Sequence, residues 1–138
     1  MKRVLGIGAS IIVLFVLFSF RPLLRLSDAL TRGDNLVEKG EYDSAYFAYG
    51  DAIRRSPDSP VPYFKRAIAM SKAKIHSKTQ IDLNDVIRLA PKFGAAYRLR
   101  AIAERALGLE RKAQEDDLMA DQLGAPTDIN AVYLELPR

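Results

Sequence analysis

Few residues of this 138-residue chain could carry out chemistry, and their types limit what kind. There is no cysteine, which rules out thiol nucleophiles, disulfides, thiolate metal sites and lipid-modified cysteine. The single histidine, His76, stands beside a predicted turn and reads as an exposed, idle side chain rather than a general base. Glycine-rich phosphate loops, nucleophile elbows and His-Glu metal patterns are absent from the sequence. Glu115, Asp116, Asp117 and Asp121 form an acidic cluster on one predicted helix, expected to be a solvated face, with weak cation attraction as the remote alternative. These residues predict no enzyme and no cofactor, which leaves binding.

Charge is distributed in blocks. The net charge is +4. Residues 54–105 hold twelve basic side chains against four acidic ones, while 27–53 and 106–138 are each acidic by four. Such asymmetry bears on the choice of partner rather than on fold. The basic block lacks the interleaved exposed aromatics that favour nucleic-acid strands, so nucleic acid is not an expected partner.

The elements that must position these groups follow from an internal repeat. Pro57 and Pro91 are 34 residues apart, each closing an apolar-periodic helix. Further columns at that spacing are Ala29, Tyr63 and Tyr97; Arg32, Arg66 and Arg100; Gly33, Ala67 and Ala101; Ala45, Thr79 and Ala113; and Ala52, Val86 and Ala120. A 34-residue period marks stacked helix-turn-helix units. The pattern resembles a tetratricopeptide repeat array over roughly 26–126, with repeats at 26–59, 60–93 and 94–126. The expected fold is therefore all-α, a short solenoid of about six helices. Gly33, Ala67 and Ala101 are expected to face small residues of the second helix, and the aromatics to fill the space between layers. The first helix is expected to start at Ser27, with helix breaks at Gly40, Gly108 and Gly124. The turn at Lys74–Ser77 is the least typical because it lacks a glycine.

Residues 4–20 form an apolar run after Lys2 and Arg3, closed by Arg21. As a helix it would span roughly 26 Å, near the lower limit for a bilayer core. The expectation is a membrane anchor over 1–21, represented by Val4, Leu14 and Phe20, with a linker at 22–25. Leu17–Phe20 offers no small residues for signal cleavage. A cleaved signal, leaving an exported soluble peptide-binding protein, is the alternative. The basic N-terminus favours a cytoplasmic start, with the repeats on the outer side, periplasmic in a bacterium. Lipid would then be met through the N-terminal helix.

The resemblance implies a concave groove lined by the first helix of each repeat. Its positions fall here on Leu30, Asp34, Val37, Phe64, Ile68, Lys72, Arg98, Ile102 and Arg105. Helical spacing agrees that Phe64, Ile68 and Ser71 share one stripe, as do Arg98, Ile102 and Arg105. Lys72, Arg98 and Arg105 are expected to pair with a ligand's carboxylates. Some members of the family clamp the C-terminal carboxylate of chaperones. The corresponding positions here hold Leu30, Asp34, Lys65, Ala95 and Leu99, so that activity is not implied. For the arginine column, intramolecular pairing with Asp or Glu is expected.

The tail, 127–138, places Ile129, Val132, Tyr133 and Leu136 on one helix face. It reads either as a cap over the apolar end of the solenoid or as a docking segment for a partner. Together these features predict a membrane-anchored scaffold, assembly factor or accessory subunit that binds proteins of a membrane complex.

Overall fold

The computed structural model describes residues 26–137. The expected anchor at 1–21 and linker at 22–25 lie outside the described residues. Among the described residues, no helix is long and apolar enough to cross a membrane. The helices are α1 over 26–38, α2 Tyr42–Arg55, α3 Pro60–Lys72, α4 His76–Leu89, α5 Gly94–Ala106, α6 Glu110–Gln122 and α7 Ile129–Leu134. The starts of α2, α4 and α6 fall 34 residues apart, as do those of α3 and α5. From α2 to α6 each helix packs on the next. Residue 26 is already helical, so Ser27 lies inside α1 rather than capping it.

Each repeated column has a physical job. Ala45, Thr79, Ala113, Ala52, Val86 and Ala120 are all fully buried, where small side chains let neighbouring helices approach. Tyr63 donates a hydrogen bond to the Pro57 carbonyl at 3.2 Å, and Tyr97 does the same to Pro91 at 3.1 Å. The tyrosine column thus locks the turn that the proline column starts. Pro60 opens α3, where a missing N–H costs no helical hydrogen bond.

Four helices end alike. After α1, α3, α5 and α6 a residue in the left-handed region donates its N–H to the carbonyl three residues back, and the next N–H reaches five back. That pair of bonds satisfies the last orphan carbonyls of a helix. Gly40, Gly108 and Gly124 take the position with φ of 76°, 76° and 70°, and Lys74 takes it with φ 59°. The glycine-free turn is therefore atypical in residue type and regular in geometry. Its bonds, Lys74 N–H to Ser71 and Ile75 N–H to Met70, are both 2.9 Å.

The core has two parts. One gathers Tyr63, Phe64, Ile68, Leu83, Leu99 and Val132, and the other Ala45, Tyr49, Ala69 and Met70. Full burial of a Leu, Phe or Met side chain contributes about 1.5–3 kcal/mol, so these residues dominate cohesion. Gly33 departs from expectation: it faces the ring of Tyr49 rather than a small residue.

Candidate functional site

The face lined by α1, α3 and α5 divides into two halves. In the first, Lys65 of α3 pairs with Asp34 of α1, its Nζ at 2.8 and 2.9 Å from the two carboxylate oxygens. Tyr49 reaches through from α2 and donates its hydroxyl to Asp34 at 2.7 Å. Burial, and then the bond and charge of Asp34, push the Tyr49 phenol well above its ordinary range. Leu30 and Val37, half-buried, pack against the Tyr49 cluster.

In the second half, Phe64 and Ile68 of α3 and Ala95 and Leu99 of α5 form an apolar floor, with Phe93 edge-on to Phe64 at 4.8 Å between ring centres. This floor is occupied. Helix α7 lies on α5, with Val132 fully buried and Ile129 and Tyr133 packed beside it. The Tyr133 hydroxyl meets Ser71 Oγ at 3.0 Å, and Lys72 Nζ sits 5.4 Å from its ring centre. A cap over the end face would rest on α6. On α6, Leu118 and Met119 are left exposed instead.

The route into the floor is set by α5 and the end of α6. After Gly124 the chain crosses Gly94, where an added Cβ would stand 2.9 Å from Leu123 Cβ and 3.0 Å from Ala125 Cβ. Arg98 Nε donates to the Pro126 carbonyl at 3.3 Å, and the Asp128 carboxylate accepts from Ala131 N–H at 3.2 Å to start α7. The helix ends at Leu134 before a second turn is complete. Leu136 therefore leaves the face shared by Ile129, Val132 and Tyr133 and is half exposed. With Glu135 it borders an open pocket of about 820 Å³ against Lys92 and Phe93.

Several expected ligand contacts are already used. Arg98 is buried, and its guanidinium holds Asp117 at 2.7 Å and also Asp121. Arg105 holds Asp117 at 2.6 Å. All three Arg98 nitrogens are engaged, and Arg105, 44% exposed, is already ion-paired to Asp117 and Glu110. Phe64 and Ile68 are buried in the apolar cluster that also holds Val132 of α7, rather than open to a ligand. Ile102 is half-buried, and Lys72 alone of the three cations stays exposed without an ion pair to an acid. The acidic cluster is paired rather than merely solvated: Asp116 with Arg100, Asp117 and Asp121 with Arg98, and Glu115 with Arg111. Burial works against ionisation of Asp117, but its bonds to Arg105 and Arg98 outweigh it and hold the carboxyl below its ordinary value. Among the described residues, no group of three acids or histidines is placed to hold a metal. His76 opens α4 half-buried, its Nδ1 enclosed, where an exposed ring was expected.

The arginine column pairs internally, as expected. Arg66 grips Asp82 through Nε at 2.9 Å and Nη2 at 2.6 Å, and Arg100 grips Asp116 at 2.6 and 2.8 Å. Burial pushes the Asp82 carboxyl up, and the Arg66 bonds pull it back. Both aspartates sit sixteen residues after their arginine, a spacing legible in the sequence. The first repeat has Ala48 at that place, so Arg32 turns to Asp51. The occupation of the floor by α7 had no such signal.

No protein-family model matches the chain. It is similar to the small glutamine-rich tetratricopeptide repeat-containing protein 2 of Mycosarcoma maydis, 33% identical over 79 residues, which are 57% of this chain and 22% of that one. The chain thus spans about a fifth of that relative's length. The first tetratricopeptide domain of Spaghetti (RPAP3), solved with the HSP90 peptide SRMEEVD, superposes with a TM-score of 0.71 at 25% identity, over 78% of this chain and 85% of that one. The second such domain of human RPAP3, solved with the HSP70 peptide SGPTIEEVD, does so with a TM-score of 0.72 at 23% identity, over 80% and 92%. The fold is that of a tetratricopeptide-repeat solenoid.

Proposed function

We propose that this tetratricopeptide array is a protein-binding module without catalysis, which takes a peptide segment of a partner on the face of α1, α3 and α5. One observation carries the reading. The apolar floor of Phe64, Ile68 and Leu99, edged by Ser71 and Lys72, already receives a helical segment, α7. Helix-in-groove recognition of this kind derives its affinity from buried apolar anchors. Structural relatives solved with chaperone peptides support a peptide as the ligand class. The same comparison argues against an acidic C-terminus as the ligand here. Asp34 presents a carboxylate to the groove and consumes the charge of Lys65, while Ala95 and Leu99 offer no cation. The apolar run at 4–20 supports a module held at a membrane, as an accessory or assembly subunit with its repeats on the outer side.

A photo-crosslinking residue in place of Lys72, in the full chain and in its native membrane, tests the reading. A discrete protein adduct is expected from position 72 and not from Ile81, which is exposed on α4. Adducts at neither position overturn the groove reading. Saturable binding of SRMEEVD that is lost on Lys65→Ala would reinstate the chaperone clamp, and a mature chain lacking its first twenty-odd residues would remove the anchor.

A further inference from the structure

We infer that residues 127–137 are a displaceable internal ligand: they close the α3–α5 floor until a partner helix with the same pattern replaces them. The inference rests on the groove reading above and names the partner's chemistry. That partner is a short amphipathic helix with aliphatic residues at i and i+3 and tyrosine at i+4, flanked by acids.

Four observations support it. First, α7 has six residues, too few for a helix to persist alone in water, so it is helical only while seated. Second, its hold is narrow. Val132 is its one fully buried side chain, Leu134 is 84% exposed, and the polar ties to the floor are the Tyr133–Ser71 hydrogen bond and the Lys72–ring contact. Segments with few buried contacts open locally while the rest of a protein stays folded. Third, Val132, Ile129 and Tyr133 belong to or pack on the cluster that contains Phe64, Ile68 and Leu99, so lifting α7 opens an apolar cluster of the kind that marks a binding site. Fourth, charge matches. Asp128 and Glu135 flank α7; Glu135 shares an open pocket with Lys92, and Lys72 lies against the Tyr133 ring. A partner helix with the same flanks meets the same cations.

The tether sets the threshold. A segment joined through the short 123–128 connection acts at an effective concentration of roughly millimolar, so a competing helix must bind the open floor correspondingly tightly. Anchoring at Gly94 and Arg98 holds the base of the tail on α5 and leaves α7 free to lift. The device thus excludes weak, unspecific apolar segments from the floor.

The test uses the full chain and a fluorescent peptide of residues 127–138. Val132→Asp places a charge at the one buried position of α7 and is expected to release the helix. The peptide should bind this variant at least about tenfold more tightly than the wild type, by the effective-concentration argument, and a peptide carrying the same Val132→Asp change should bind neither. Hydrogen exchange on the wild type gives a reading independent of any variant: amides 129–134 should exchange at least about tenfold faster than those of α3 and α5, as local opening requires. Equal protection of α7 and α5, or equal peptide binding to both forms, would make the tail a fixed part of the core and overturn the inference. The two readings fail separately. Crosslinks at position 72 with a fixed α7 would preserve the binding module and refute only the displaceable tail. Tail-peptide binding without any crosslinked partner would do the reverse.

Discussion

Replacing Gly33 by alanine is expected to destabilise the first repeat, against the trend for alanine in helices. Gly33 lies in mid-α1, where Gly→Ala alone contributes about 0.5–1 kcal/mol of stability. Here the new Cβ would stand 2.4 Å from Tyr49 Cε1 and 2.7 Å from Cδ1 and Cζ. The ring has little freedom to yield. It is 2% exposed, and its hydroxyl is tied to Asp34, which is itself held by Lys65. Overpacking of this kind costs about 1–3 kcal/mol, and a displaced ring also forfeits its hydrogen bond to a carboxylate, worth about 1.5–3 kcal/mol. The net expectation is a loss of about 1.5–5.5 kcal/mol once the helical gain is subtracted. The second repeat supplies the control, because the same two columns there hold Ala67 and Leu83, both fully buried. With Tyr49→Leu in the background, Gly33→Ala should therefore lose both penalties, with a coupling of about 2.5–6 kcal/mol in a double-mutant cycle. Urea unfolding of the full chain, followed by far-UV circular dichroism, measures all four corners. A more stable Gly33→Ala chain, or an equal cost with leucine at 49, would refute the packing argument.

Two of the column arginines, Arg66 and Arg32, should differ sharply when each is changed to alanine. Arg66→Ala strands Asp82, whose side chain is 3% exposed, and should cost about 3–5 kcal/mol. Arg32→Ala removes a pair whose arginine is 57% exposed and should cost at most about 1 kcal/mol. Equal costs in urea melts would contradict this account. The pH dependence of α6 docking is set in part by Asp117. Its carboxyl titrates below the unfolded value of 3.8 in the folded chain, so the native state binds fewer protons there. The stabilisation is complete above 3.8 and is lost as pH falls through the folded value. Asp117→Asn should therefore be less stable than wild type at neutral pH, and the difference should shrink below that value. A difference that is constant with pH would assign the role of Asp117 to something other than charge.

The repeat was legible because it is written in local chemistry. A proline after each second helix, a tyrosine six residues later and small residues at the helix contacts each act within one 34-residue unit, so their spacing alone announces them. The Arg66–Asp82 and Arg100–Asp116 pairs were equally within reach, since sixteen residues separate the partners in each. Lys74 shows a limit of residue type: the turn needs a left-handed residue, and lysine bears that strain where glycine was the legible signal.

The site was less legible. The groove positions carried over from the resemblance include two buried in the cluster that α7 joins and two arginines paired with Asp117 and Asp121. The amino-acid sequence by itself determined the helices, their pitch, the turns and the apolar face of the tail, because each depends on neighbours within a few residues or one repeat. Only the tertiary structure decided where that face goes. Ile129, Val132 and Tyr133 would have suited the bare end of α6 as well as the floor between α3 and α5. The choice was made by the close packing at Gly94, the Arg98 bond to Pro126 and the meeting of Tyr133 with Ser71, partners that stand 28 to 62 residues apart in the chain.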